Sequence, residues 1–524
     1  MRSHLRVAFC HPDLGLGGAE RLVVDAAHEL SQRGHQVDVY TAFHDRKRCF
    51  DETVDGSFSV TVAGGWFPRT LFGRCQALCA TIRCWLVALY IWWTAGRSYD
   101  VVFVDAVSAV VPILQLLLRC KVLFYCHYPD MLLATRAQGM RQVYRRPLDG
   151  LEEWSTGKAD LCLVNSRFTQ GVFANTFKSL ARKGVQPEVL YPAVRIPSDA
   201  ALTQASATWQ QHLDQDLVGF LQSGPTFLSI NRFERTKDLG LAVRALHTFQ
   251  TGSGRLDSSH PAQLILAGGY DSRLAENKEV YQELQQLAAL LGIEHQVRFV
   301  RSFTTPERTA LLAACVAVIY TPPAEHFGIV PLEAMAASRP VIACNQAGPL
   351  ETIVHGVTGL LCHPDPVAFA GAMHMLLEQN CSKQSGMGSA ARNHVQHHFS
   401  LQAFGDRLEE HLHQRRLLEQ WVQEARRHGV ASHKVVSWVR RKIGPDIIVW
   451  RCRSDGSRGC ATPCVLCHRQ LCKFDLRVHC SLNSQQWFSG RLTDGDAPPP
   501  VLTSGQRRQW QAFREHAATL PVTN

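Results

Sequence analysis

Short apolar runs of four to seven residues recur along this chain. Each is followed by a polar or glycine-containing turn and then by a longer amphipathic stretch. Residues 7–10, 37–41, 100–104, 121–126, 159–164 and 189–194 make one series, and residues 226–230, 263–269, 297–300, 316–320, 340–343 and 359–362 make a second. Continuous apolar runs bounded by turn signals predict strands buried on both faces, with helices in the amphipathic stretches between them. Strand alternating with helix gives a parallel sheet covered on both sides. Two series predict an α/β protein of two doubly wound, Rossmann-like domains. They face a cleft, the usual seat of a substrate. The first domain is expected over residues 1–196 and the second over 225–397. Residues 197–224, polar and punctuated by Pro and Gly, read as the linker.

One stretch breaks the pattern. Residues 84–95 are the oiliest run of the chain, extending to 77–95 if Arg83 is crossed. That falls just short of the roughly 20 clean apolar residues a membrane span needs. Trp85, Trp92 and Trp93 suit a membrane interface, and Arg74, Arg83 and Arg97 flank the run. An amphipathic helix lying in the interface is the expectation; a buried core helix and a true span are the alternatives. Residues 1–10 carry too short an apolar core for a signal peptide and read as the first strand.

Length and composition narrow the class. A chain of 524 residues exceeds a single core. Its 46% hydrophobic and 19% charged residues suit a globular protein. The net charge of +10 is uneven: from Leu417 onward there are 16 Lys and Arg against 8 Asp and Glu, which leaves the rest near +2. The main body therefore carries no basic field that would suit nucleic acid. The first twelve of the 18 cysteines are scattered through apolar stretches, as buried reduced thiols are, and this suits a cytosol-facing body.

The candidate chemistry gathers at strand ends. After residues 7–10 comes His11-Pro-Asp-Leu-Gly-Leu-Gly17-Gly18-Ala-Glu-Arg, a glycine loop opening a helix, the arrangement that cradles phosphate. Its spacing is not G-x-G-x-x-G and no acidic residue is placed for a ribose, which disfavours a nicotinamide cofactor. His127 ends the run 121–126, on the crevice side of a parallel sheet. Arg232 and Lys237 follow the first strand of the second domain, two cations suited to a diphosphate. Glu325 and Glu333 bracket a loop, Phe327-Gly328-Ile329, that opens a helix N-terminus. Glu333 can accept two ribose hydroxyls, and Glu325 with the loop backbone can hold a sugar. Together these groups describe a nucleoside-diphosphate sugar.

The stretches HPDLGLGGAERLVVDAA from His11, FYCHYPDMLL from Phe124, ADLCLVNSRFT from Ala159, SINRFERTKDL from Ser229, AGGYDSR from Ala267 and YTPPAEHFGIVPLEAMA from Tyr320 resemble the retaining GT-B glycosyltransferases of family 4. Within that family they are similar to the mannosyltransferases that build the dolichol-linked oligosaccharide of asparagine-linked glycosylation. The resemblance covers residues 1 to about 416. It implies GDP-mannose as donor, with Arg232 and Lys237 on the diphosphate, Glu333 on the ribose, Glu325 and the amides after it on mannose, and His127 near the reacting centre. It implies a dolichyl-diphosphate chitobiose bearing one mannose as acceptor, α-1,3 and then α-1,6 transfer, and no active-site metal. It also implies a helix over 398–416 returning to the first domain, attachment to the cytosolic face of the endoplasmic reticulum, and company with other early N-glycan mannosyltransferases. One departure is Ala347, where the family usually has a second glycine. A UDP-sugar transferase and a non-catalytic membrane scaffold remain the alternatives.

Residues 417–524 lie beyond the resemblance. Cys464-x2-Cys467 with Cys472 and Cys480 has the makings of a structural zinc site. A read-through segment without an evolved role is the other reading of this basic, Cys-rich extension.

Overall fold

The computed structural model describes residues 4–71, 75–133, 140–252, 261–380 and 384–414, with isolated strands and one turn in the tail. Two compact units divide at residue 408.

Within the first unit stand two wholly parallel sheets. The first contains β1 (Arg6–His11), β2 (Gln36–Thr41), β3 (Ser59–Val62), β4 (Val101–Asp105), β5 (Lys121–Cys126), β6 (Leu161–Val164) and β7 (Glu188–Val189), in the order β3-β2-β1-β4-β5-β6-β7. β1 is central, with Val7 between Val37 and Val101. The second sheet contains β8 (Thr226–Ile230), β9 (Gln263–Gly268), β10 (Val297–Arg301), β11 (Ala317–Tyr320), β12 (Val341–Cys344) and β13 (Gly359–Cys362), in the order β10-β9-β8-β11-β12-β13. The chain order reverses beside β1 and beside β8, and ligand crevices open at such switch points. Central strands such as β4, β8 and β11 are buried along their whole length. Helices on both faces cover them, so there is no outward-facing position for a polar residue to occupy.

β3 is an addition to the expected strands. It is a short edge strand with no fully buried residue, so it lacks the apolar signature. The stretch expected as a linker is also more ordered than its composition suggests. It carries helices Asp199–Thr208 and Gln215–Ser223, capped by the Ser198 and Asp214 side chains. The second of these buries Leu217, Val218, Phe220 and Leu221 in the core of the second sheet. The helix beginning at Leu401 lies against the first domain. Arg33 binds Asp406 at 2.8 Å and the Gln402 carbonyl at 3.0 Å, and the Val194 amide donates to the Phe399 carbonyl.

The helix Gln76–Ala95 has two faces. Cys79, Cys84, Val87, Ala88 and Ile91 pack into the first domain. Leu89, Tyr90, Trp92 and Trp93 are exposed, Trp93 to 85%. By length and composition this helix is apolar enough to cross a membrane. Two details correct the sequence reading. Trp85 does not join the exposed aromatics; it packs against the core, and its indole N–H donates to the Ala109 carbonyl. Arg83 does not flank the apolar surface; it is buried and grips the Asp13 carboxylate at 2.6 and 2.9 Å.

In the tail, Asp446–Val449, Arg477–Ser481 and Trp487–Arg491 form a small mixed sheet. Cys464, Cys467 and Cys472 of the zinc reading lie outside the described residues, and Cys480 is buried within its strand.

Candidate active site

The site forms where the carboxyl ends of the two sheets' strands meet. On the second domain, β8 runs into a turn at Asn231. Gly268, the last residue of β9, presses on that turn so closely that a Cβ there would overlap the Asn231 carbonyl oxygen. The Thr321 hydroxyl donates to the Lys237 carbonyl at 2.7 Å, which ties this loop to the end of β11. Lys237 Nζ then meets Glu325 Oε2 at 2.5 Å. Burial pushes the Glu325 carboxyl up, but Lys237 and a hydrogen bond from Tyr320 outweigh it and hold the carboxyl below its ordinary value.

Gly328 follows with φ +83°, a left-handed turn that glycine adopts without strain, and caps the helix Ile329–Ala336. The first amides of that helix have no intrahelical acceptor and are available to an anion. Phe327 is buried, stacked 5.7 Å from Tyr191. Glu333, one turn into the helix, pairs with Arg308. Arg232 is mainly exposed and pairs with Glu234 at 2.6 Å, on its own loop.

The first domain supplies the opposite wall. β1 ends in His11, β4 ends in Asp105, and His127 follows β5. Because β4 lies between β1 and β5, Asp105 sits between the two histidines. His11 Nδ1 lies 2.7 Å from Asp105 Oδ1, and His127 Nε2 lies 3.1 Å from Asp105 Oδ2. Burial works against ionisation of Asp105, yet the histidines hold its carboxyl down at about 2. Sequence reading took His127 as a lone strand-end histidine and missed Asp105. The signal was present, an acid ending an apolar strand, but strand adjacency was needed to give it meaning. Glu152, on the helix Met140–Thr156, was also missed. It accepts from the Asp130 and Met131 amides at 2.7 and 3.0 Å, and burial pushes it up to about 7. Gly17 and Gly18 stand beyond the end of β1, Gly17 as the cap and Gly18 as the first residue of the helix Gly18–Gln32.

Contacts across the cleft join the walls. His326 stacks on Tyr128 with centroids 3.8 Å apart and on Phe168 at 6.3 Å. Burial holds the His326 imidazole below its ordinary range, with Glu325 opposing the shift and Lys237 adding to it. Glu351 reaches from the second domain to the first. It accepts from the Arg167 and Phe168 amides at 2.8 Å each and from the Tyr191 hydroxyl at 3.0 Å, capping the helix Arg167–Thr176 from outside its own domain.

The departure at Ala347 has a backbone consequence. Ala347 sits at φ +50°, a region that costs a residue with a Cβ about 1 kcal/mol. Ala347→Gly is expected to leave transfer unchanged and to raise stability by about 0.5 kcal/mol, since relief of strain exceeds the entropy glycine adds to the unfolded chain. Thermal unfolding of the two proteins checks this.

Two parallel-sheet domains, with a cation and paired glutamates at the mouth of one and a histidine pair at the mouth of the other, define a GT-B glycosyltransferase. The family models agree: residues 16–194 match Glycosyltransferase Family 4 and residues 218–394 match Glycosyl transferases group 1. The chain is 46% identical over 412 residues to the alpha-1,3/1,6-mannosyltransferase ALG2 of Mus musculus, covering 77% of this chain and 94% of that one. Against the Saccharomyces cerevisiae ALG2 it is 36% identical over 442 residues, covering 78% and 84%. The chain belongs to this ALG2 family of α-1,3/1,6-mannosyltransferases. Solved structures share the fold: Anabaena Alr3699/HepE in complex with UDP has TM-score 0.57 at 20% identity, covering 78% of this chain and 99% of that one. Sucrose-phosphate synthase from Thermosynechococcus elongatus has TM-score 0.59 at 21% identity, with the same coverage.

Proposed function

We propose that this mannosyltransferase takes mannose from GDP-mannose and adds it to a dolichyl-diphosphate Man-GlcNAc2 acceptor, first α-1,3 and then α-1,6, in N-glycan precursor assembly. The observation that carries the reading is the Lys237–Glu325 pair at the foot of the Gly328 loop. A cation and a sugar-binding carboxylate stand together where a diphosphate sugar would lie across a helix N-terminus. In this reading Lys237 and Arg232 bind the diphosphate and stabilise the departing GDP. Arg232 swings from Glu234 to do so. Gly17 and Gly18 close over the phosphates from the first domain. Glu333 takes the ribose hydroxyls. Glu325 and the amides of Phe327, Gly328 and Ile329 hold mannose, and His127 faces the reacting centre. The protein's own cations stand where a metal would otherwise balance the leaving charge. Mannose leaves and the acceptor hydroxyl attacks on the same face, the departing phosphate taking the proton.

A lipid-borne acceptor gives the exposed face of helix Gln76–Ala95 a purpose. An enzyme lying on the membrane that carries its substrate works at high effective concentration. The proposed seat is the cytosolic face of the endoplasmic reticulum, beside other early N-glycan mannosyltransferases. Leu89→Ser, Trp92→Ser and Trp93→Ser together are expected to shift the protein to the soluble fraction in vesicle flotation while its melting temperature stays within a few degrees, because these residues are already exposed. Undiminished vesicle binding would remove this helix as the anchor.

The test of the whole reading is transfer by the full chain from GDP-mannose to a synthetic lipid-diphosphate trisaccharide, with linkages read by mass spectrometry and mannosidase digestion. Two mannoses in α-1,3 and α-1,6 linkage are expected. Transfer from UDP-linked sugar instead would replace the donor. Nucleotide binding without transfer would return the acceptor to question.

A further inference from the structure

The His11–Asp105–His127 cluster is more determined than a pair of contacts. His11 Nδ1 faces the Asp105 carboxylate at 2.7 Å, and its Nε2 faces the Asp13 carbonyl at 3.0 Å. Both neighbours are acceptors, so both ring nitrogens carry protons and His11 is an imidazolium. Burial opposes that charge, yet Asp105 keeps the ring above its ordinary range. The cation is fixed in turn, because Asp13 is clamped through its carboxylate by buried Arg83 of the helix Gln76–Ala95. Asp105 is thus an ionised carboxylate with one oxygen committed to a cation and the other, Oδ2, aimed at His127. An acceptor there requires His127 to carry its proton on Nε2. Its Nδ1 meets no hydrogen-bond donor among the described residues.

We propose that Asp105, pinned by the His11 imidazolium, is a positioning residue that holds His127 as the Nε2–H tautomer, so that Nδ1 meets the substrate as a hydrogen-bond acceptor. This rests on the reading of His127 as a residue of the reacting centre. The acceptor lone pair suits a sugar hydroxyl, on the transferred mannose or on the attacking acceptor. A histidine free to rotate or to carry its proton on Nδ1 would present a donor or nothing in the same place. The arrangement also ties the orientation of His127 to Asp13, the residue from which the glycine loop at Gly15–Gly18 departs, so the catalytic ring and the phosphate loop share one anchor.

Two measurements on the full chain decide it. In protein labelled with nitrogen-15 histidine, and with His127→Gln to assign the signals, His127 is expected to show a protonated Nε2 and a bare Nδ1, and His11 two protonated nitrogens. These shifts need no substrate, so they judge the proposal even if the wild type transfers no mannose, an outcome that would instead overturn the functional reading. In Asp105→Asn the amide cannot accept from both rings. The kcat is expected to fall on the order of 10²- to 10⁴-fold, the contribution of a positioned acid–base group, with the upper end the loss a wrong tautomer costs. The KM for GDP-mannose should stay within about threefold, because the contacts proposed for its diphosphate and ribose are untouched. The double variant His11→Asn/Asp105→Asn removes both buried charges together and guards against misfolding from one left unpaired; it should lose kcat alike. A wild-type His127 protonated on Nδ1, or folded variants that keep kcat within about threefold, would overturn the proposal.

Discussion

Lys237→Ala is expected to lower kcat for mannosyl transfer on the order of 10³-fold. Two effects combine. The leaving diphosphate loses a cation where its charge develops, and that interaction strengthens towards the transition state. Glu325, 2.5 Å away and largely buried, also loses its counter-charge. The same variant has a pH signature. With Lys237 in place the Glu325 carboxyl sits below its ordinary value. A depressed carboxylate pKa contributes stability that is fully present above the unfolded-state value and is lost as pH falls through the folded one. Wild type should therefore be more stable than Lys237→Ala at neutral pH, by about 1–3 kcal/mol. The gap should narrow below about pH 4, where the unfolded carboxyl also takes a proton. Denaturant unfolding at pH 7 and pH 3.5 measures both. A gap that widens in acid would mean the pair is not what stabilises Glu325.

Glu351→Ala should also give a large effect and spare the chemistry groups entirely. Glu351 touches none of the donor-binding side chains; it accepts three hydrogen bonds from the other domain. Its removal leaves two amides at the start of helix Arg167–Thr176 and the Tyr191 hydroxyl without that acceptor. Each such loss costs about 1–3 kcal/mol where water cannot enter. The expected result is a fall in kcat/KM on the order of 10²-fold, about 2–4 kcal/mol of interdomain coupling at partial solvent access. Thermal unfolding of the separate cores should move little. Glu351→Gln, which retains one acceptor oxygen, should recover part of the loss. If isolated nucleotide binding fell as steeply as transfer, Glu351 would belong to the donor pocket rather than to the clasp between domains.

How much of this was legible in the chain depends on the range over which each signal acts. Buried parallel strands announced themselves because both of their faces are covered, so residues such as those of β4 and β8 are mostly apolar. The edge strand Ser59–Val62 escaped because an edge has no such requirement. The helix Gln215–Ser223 escaped because its stretch is polar on average, and only one face reaches the core. Lys237, Glu325, Gly328 and Glu333 were legible because the loop chemistry at a strand end is local, written in consecutive residues.

What the sequence by itself determined was the two-domain α/β architecture and the family to which the chain belongs. What only the tertiary structure decided was partnership. Arg83 looked like the flank of an oily helix and is the buried clamp on Asp13. Asp105 was an unremarked strand end and joins His11 to His127 across 94 and 22 residues of chain. Glu351 belonged to a loop noted only for its missing glycine and fastens one domain to the other across more than 180 residues. Charges are costly to bury alone and acceptable in company. Such residues are therefore fixed by neighbours that adjacent strands and a closed cleft bring together, at separations that no local pattern records.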